Sequence, residues 1–533
     1  MSAYQVAIVG GGPVGVALAV ELGQRGVTCA VIERHREVGR IPKGQGLRHR
    51  SLEHFYFWNC VDELRAARLM PAGYPIGGLT AFGNLTSKYW HSANATRSTI
   101  GDYYFQRNER LPQYLTEQVL RTRAAALPSV TFLFERTAKA VEQDDSGARV
   151  TVTSEVWPYE DEVIEAEYVV GCDGARSMTR EQLGIERHGT DLGDRMVLAV
   201  FASPELHEGL QRFGEKTTYH VVNPAKRGAW QFFGRVEVGR SWFYHGPVRA
   251  DATPDDADYI RAQMEEAAGF PFAIDFEHIG FWNLRIDVAD TYRKDRVFIA
   301  GDAAHSHPPY GGHGLNNGLE DVTNLGWKLD AKLKGWGGDA LLESYSEERQ
   351  PVFFETGEDI IAAGILRERE WLEQHSPERD LAEFEKAWED RVGGGDAALD
   401  VEPHYEGSPV VTGAPHATPG IHSHHSFAAR AGHHLTPQML SSGRNVFEEL
   451  GNGFTLLALD ADPAAVKELQ DAALSLKVPL SVVEDRREDG REEYEARLVL
   501  VRPDQYVAWT DNDGFADRFA TPEKLLRLVV GAV

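Results

Sequence analysis

The stretch 4–20, YQVAIVGGGPVGVALAV, constrains the fold more than any other part of the 533-residue chain. Tyr4–Val9 is a short, mostly apolar run with the composition of a strand buried in a parallel sheet. Glycines follow at 10, 12 and 15. Val16–Arg25 then shows a helical pattern, and a second strand over Thr28–Ile32 ends at Glu33. Each position of this GxGxxG spacing has a physical reading. Gly10 permits the tight turn, Gly12 lets a pyrophosphate approach the backbone, and Gly15 lets the helix pack close to the sheet. Pro13 and Val14 complete the loop. The helix N-terminus offers unpaired N–H groups to phosphate oxygens, and Glu33 stands where an acid accepts hydrogen bonds from a ribose. Strand, loop, helix, second strand and acid together predict a dinucleotide site, without distinguishing FAD from NAD.

Composition narrows the partners. A formal net charge of −26 repels nucleic acid and anionic membrane surfaces, while backbone amides can still hold an anionic dinucleotide locally. No apolar run approaches the roughly 20 residues of a membrane span. Cys29, Cys60 and Cys172 form no CxxC, which argues against a disulfide framework or a thiolate metal site and fits a reducing cytoplasm.

Two later stretches repeat the strand-to-glycine grammar. Residues 168–180, YVVGCDGARSMTR, run from a strand into Gly171, Asp173 and Gly174; alone they read as a strand–helix junction with Ser177 as a cap. Arg296–Ala300 is a short strand leading into 301–320, GDAAHSHPPYGGHGLNNGLE, and a helix whose apolar face includes Leu319, Val322, Leu325 and Leu329. In this order and spacing, the three stretches resemble the single-component flavoprotein aromatic hydroxylases, the family of para-hydroxybenzoate, phenol and polyketide hydroxylases. GGGPVG at 10–15 resembles its ADP-binding loop and GCDGARS at 171–177 its DG motif. GDAAHSHPP at 301–309, with GGHGLNNGLED at 311–321, resembles its GD motif and flavin-contacting helix start.

The resemblance implies FAD. Asp302 would contact the ribityl chain, Asp173 would belong to the cofactor site, and Gly312, Gly314, Leu315 and Asn316 would lie near the isoalloxazine and phosphates. Pro308 and Pro309 would shape the wall beside the ring, with Pro308 towards substrate. His313 stands where the family pattern has Gln. Arg48 and Arg50 are the candidates to brace the phosphates, Arg50 being favoured because it directly precedes the SLEHF helix; Gln113 would lie by the ribityl chain. No metal is expected. His305, His307 and His313 have no cysteine or clear carboxylate partner in sequence, and His422, His424, His425, His433 and His434 read as surface or domain-junction residues.

The implied fold is α/β: a Rossmann-type FAD-binding domain, an inserted mixed-sheet substrate domain and a thioredoxin-like C-terminal domain without CxxC. The boundaries are 1–182 and 286–395 for the FAD-binding domain, 183–285 for the middle domain, 396–430 for a linker or crossing loop and 431–533 for the last domain, whose elements read βαβββα. The implied reaction is NAD(P)H-driven hydroxylation of a phenolic or polycyclic aromatic substrate by O2 through a C4a-hydroperoxyflavin. Baeyer–Villiger insertion or epoxidation on a polyketide or antibiotic shares the same motifs. Tyr219, His220 and His245 are the candidates to assist substrate deprotonation, and Trp230, Phe232, Tyr244 and Trp282 the candidate pocket aromatics, although strand aromatics also pack well as plain core. A homodimer is the default assembly.

Overall fold

Three neighbouring parallel strands deliver all three glycine motifs to one edge of a sheet. In the computed structural model, which describes every residue except 1–3, 93–99, 227–229, 394–400, 414–415, 513–520 and 533, strand Tyr4–Val9 lies between Asp161–Gly171 and Cys29–Glu33. Val297–Ile299 adds beyond Asp161–Gly171, and Val130–Phe134 beyond Cys29–Glu33, each in parallel. The strands therefore end side by side at Val9, Gly171 and Ile299, tied by Cys172 N–H to Val9 O (2.7 Å) and Ala300 N–H to Gly171 O (3.0 Å). Ligands of open α/β sheets bind outside these carboxyl ends, where loops rather than strands occupy the space.

The middle domain is a seven-stranded sheet in the order Asp275–Arg285, Asp191–Ala202, Ser241–Val248, Gln231–Arg235, Thr218–Val222, Gly78–Phe82, Trp90–Ser92. Its last two strands come from the segment 1–182 that the sequence assigns wholly to the FAD-binding domain. Gly78–Phe82 pairs in parallel with Thr218–Val222, covering an edge that would otherwise expose unpaired amides. Such a pairing, 140 residues apart along the chain, leaves no local signal (Gly78↔Thr218).

After helix His313–Leu333 the chain forms helix Asp339–Glu355, a π-helical turn over Thr356–Ala362 and helix Ala363–Gln374. The 396–430 segment is more than a linker: Tyr405, Val410 and Ile421 are buried, and His404 and Gly420 exchange backbone hydrogen bonds of 2.9 and 3.1 Å. The last domain has the expected βαβββα order, with Phe454–Leu459 parallel to Leu480–Asp485 and antiparallel to Leu498–Val501. No helix among the described residues is long and apolar enough to cross a membrane.

A buried charged cluster joins this domain to the FAD-binding helices. Arg502 donates to both oxygens of Glu348 (2.7 and 2.9 Å) and to Asp504 (2.6 Å), and Lys328 reaches Glu348 at 2.7 Å. All four side chains of these pairs are shielded from solvent, and Asn324 and Ser408 fill the remaining sites on Glu348 at 2.6 and 2.7 Å. Burial penalises the Glu348 charge, but Arg502 and Lys328 outweigh that and hold its carboxyl far below the usual range. Arg502→Met should therefore destabilise the protein by about 3–5 kcal/mol, because it takes the guanidinium away from two buried carboxylates; the check is a lowered urea midpoint with unchanged far-UV circular dichroism below the transition.

Candidate functional site

At the first strand end, the glycine loop separates fold from site by what a side chain would meet. A Cβ on Gly10 (φ +104°) would lie 2.4 Å from Cys172 O, and one on Gly15 would lie 2.0 Å from Gly10 O, so both glycines serve the turn itself. A Cβ on Gly12 would meet nothing within 4 Å. Glu33 closes the loop by accepting Gly11 N–H at 2.7 Å, and Arg121 donates to Gly11 O at 3.0 Å. Val14 packs so tightly against the third motif that a Cβ on Gly301 or Gly318 would approach it to 3.0 or 2.6 Å.

Asp173, Asp302 and Asp321 have different fates. Asp173 turns back onto its own chain, accepting from Ser177 Oγ (2.5 Å) and from Thr179 N–H and Oγ1 (both 3.0 Å), and it does not reach the cavity wall; capping of the short helix Met178–Gln182 absorbs it. Asp302 lines the cavity and makes no hydrogen bond to the described residues. The surrounding protein pushes its carboxyl up, with His305, Lys43 and Arg187 opposing, although the residue stays exposed at the cavity surface. Asp321, quoted in the motif but not singled out, is fully buried and accepts from Gly301 N–H (3.0 Å), His305 Nε2 (2.6 Å) and Arg349 Nε (2.9 Å), which pins the GD loop to the following helix. Gly311 and Gly312 take φ +67° and +66°, and a Cβ on Gly312 would again meet nothing within 4 Å.

A cavity of about 1990 Å³ connects the GD loop to the middle sheet. Gln113, Asp302, Pro309, Gly312, Gly314, Leu315 and Asn316 line it, whereas the glycine loop and Glu33 lie beyond its wall and Pro308 is buried behind it. The sheet contributes one register row, Leu198, His245, Phe232 and His220, cross-strand partners in sequence, with Trp230 and Trp282 beside them. The alternate row, Ala199, Tyr244, Phe233 and Tyr219, faces the opposite side and joins the hydrophobic core there. Tyr219 and Tyr244 are therefore corrected to core residues: their hydroxyls accept from Arg235 (2.8 Å) and Gln231 (2.8 Å), away from the cavity. Strand alternation fixes this outcome once the register is known.

His245 lines the cavity, but its chemistry is restricted. Trp282 Nε1–H, a donor only, gives its proton to His245 Nδ1 at 3.1 Å, so the neutral ring carries its own hydrogen on Nε2. Burial pushes its pKa down to about 3. Such an imidazole is a poor base. His220 stacks on Trp230 (ring centroids 5.3 Å apart), and Trp230 stacks in turn against Tyr310 of the GD loop at 3.8 Å. Tyr310, absent from the sequence candidates, also accepts Trp230 N–H (3.2 Å) and so links the two walls.

The favoured phosphate brace lines the cavity and is held by protein partners. Arg50 donates to Glu53, Glu320, Gln505 and the Asp504 carbonyl, between the SLEHF helix and the last domain. Arg48 instead reaches Gly311 O (3.0 Å) and His313 Nε2 (2.9 Å) at the flavin-motif helix start. Asn316 locks that start by accepting from Arg48 N–H and Ser51 Oγ and donating to Gly46 O. Tyr506, His434 and His425 bring the C-terminal region into the cavity wall. Of the histidines read as surface or junction residues, His433 and His434 are buried.

The residues fit a flavin: an open backbone approach at Gly12 and Gly312, and Asp302 on the cavity wall, able to accept from a hydroxyl. The FAD binding domain family matches residues 3–356, and the aromatic-ring hydroxylase C-terminal family matches 428–532. The 4-methyl-5-nitrocatechol 5-monooxygenase of Burkholderia sp is 29% identical over 553 residues, spanning 98% of this chain and 97% of its own. The FAD-dependent monooxygenase apdD of Emericella nidulans is 30% identical over 558 residues, spanning 95% and 87%. The crystal structure of the flavin-dependent monooxygenase PieE in complex with FAD and substrate shares the fold, with a TM-score of 0.84 at 24% identity over 99% of both chains. The chain belongs to the FAD-dependent aromatic hydroxylase family and is a flavoprotein monooxygenase.

Proposed function

We propose that the protein hydroxylates a phenolic or fused-ring aromatic compound, consuming NAD(P)H and O2 and releasing NAD(P)⁺ and water. The observation that carries this reading is one cavity lined both by the GD loop, with its unpartnered Asp302, and by the flat aromatic row of the middle sheet. A drug-sized ligand fills about 300–1,000 Å³. The 1990 Å³ available here therefore suits a flavin head together with a planar substrate. Bound FAD supplies the redox chemistry, accepting a hydride from NAD(P)H and activating O2.

The chain's own residues bind, orient and exclude water. Asp302 accepts a ribityl hydroxyl, the helix beginning at His313 presents its N–H groups to the flavin, and the Trp230–Tyr310 stack closes the wall between loop and sheet. His245, held neutral, packs edge-to-face on Trp282 and parallel to Phe232, which makes it a shaping residue rather than the base. Substrate ionisation then supplies the phenolate.

NAD(P)H oxidation under air with a panel of phenols and fused-ring aromatics tests the reaction. Substrate-stimulated oxidation and a product heavier by one oxygen support it; oxidation to peroxide with every compound counts against it, and a ring-expanded ester would assign the Baeyer–Villiger alternative. Asp302→Ala should weaken FAD binding roughly 10–100-fold, about 1.5–3 kcal/mol, read as flavin stoichiometry and fluorescence titration. Gly12→Val should fold normally, since its Cβ enters open space and its φ of −73° suits any residue, yet purify with little flavin. The acid limb of kcat/KM should move with the pKa of the substrate phenol when two substrates are compared; a limb fixed at one pH for both would assign the base to the protein.

A further inference from the structure

We propose that His404, Glu406 and His433 form a zinc-type divalent-cation site that clamps the crossing segment beside the cavity, independently of the flavin chemistry. One ring nitrogen from each histidine and one carboxylate oxygen of Glu406 lie within 4.8 Å of one another. Two imidazoles and a carboxylate are a borderline-soft donor set that suits zinc and leaves one position for water.

His433 already has the surroundings of a ligand. Its Nε2 is 2.9 Å from Glu406 Oε1, while its Nδ1 is 2.9 Å from Glu402 Oε2, and Glu402 is held in turn by Arg430 at 2.6 Å. A carboxylate on the far ring nitrogen is the arrangement that fixes the orientation and basicity of a metal-bound imidazole. His404 supplies the second, independent observation. It is 8% exposed, its ring makes no hydrogen bond to the described residues, and its buried Nδ1 has no partner. The ring stacks on His433 with centroids 5.3 Å apart, a contact that leaves the buried Nδ1 unpaired at a cost a ligand would offset.

The backbone brings the donors together from two passes of the chain. His404 is bridged to Gly420, Tyr405 N–H donates to Gly432 O at 2.6 Å, and His433 O accepts Val507 N–H at 2.9 Å. Atoms bound to a tetrahedral zinc lie about 3.3 Å apart, given bonds of roughly 2.0–2.1 Å to nitrogen. The His433–Glu406 pair is near that spacing, and His404 needs to close by no more than about 1.5 Å. Glu406, with a side chain 34% exposed, leaves a path for entry. Pro403, Ile421 and His434, adjacent to the three ligands or to the bridge, line the cavity, so a bound ion would stiffen its rim.

The test uses the full flavin-loaded chain, stripped with EDTA, desalted and titrated with zinc chloride by calorimetry, with metal analysis after dialysis. One tight equivalent per chain and a raised Tm are expected. His404→Ala should bind that equivalent at least tenfold more weakly while keeping its flavin content, and its Tm should no longer rise with zinc. Glu406→Gln, altering a partly exposed side chain, should weaken it similarly, and Glu402→Gln by roughly 10–100-fold. Absence of a zinc equivalent in the parent protein, or equal binding after His404→Ala and Glu406→Gln, would overturn the proposal; in the second case the ion sits on others of the 20 histidines. Flavin content is read separately by absorbance, so failure here leaves the hydroxylase reading untouched.

Discussion

The Asp321 carboxylate is the contact on which the cofactor side of the molecule depends. It has no exposure to solvent, and burial alone would favour its neutral form; His305 and Arg349 outweigh that and hold its carboxyl below the usual range. Three elements converge on it: the Gly301 amide after the third parallel strand, His305 of the GD loop, and Arg349 from the next helix. Arg349 also bonds Asn317 and Tyr405, so the same charge extends to the crossing segment. Because the native pKa is depressed, this stabilisation is complete above the ordinary aspartate range and is lost as pH falls through the native value.

The position of that pin explains how the two walls of the cavity stay in register. Asp321 fixes the loop carrying Asp302 and, through it, Tyr310, which meets Trp230 at the start of strand Gln231–Arg235. From Trp230 outward, cross-strand pairing carries the alignment to Phe232, His245 and Leu198. A shift of one residue in any of these strands would turn Tyr219, Phe233 and Tyr244 into the cavity and bury the present wall in the core. The packing of those three residues against Phe201, Trp242 and Phe272 on the far side makes such a slip costly.

The three loops at the strand ends were legible because each glycine pattern is local and has one geometric reason. The two tyrosines were not, since the sequence shows that strands are aromatic but not which parity faces the site. The partners of Arg50 were hidden for a related reason: proximity to the SLEHF helix is visible along the chain, while the claims of Glu320, Gln505 and Asp504 on its guanidinium exist only after folding. The last domain was readable as an element order, yet its part in the cavity wall rests on Arg502 reaching Glu348, 154 residues away, a pairing no periodicity announces.

The motif residues divide by what the folded chain places around them. Among the motif glycines, Gly10, Gly15, Gly301 and Gly318 would each press a Cβ into neighbouring protein at 2.0–3.0 Å, whereas Gly12 and Gly312 face open space. Among the motif aspartates, Asp173 and Asp321 have their acceptors filled by the chain, while Asp302 does not. Gly10, Gly15, Asp173 and Asp321, each engaged by the chain itself, frame the strand ends, and Asp302 and Gly312 stand on the cavity wall which that frame holds in place.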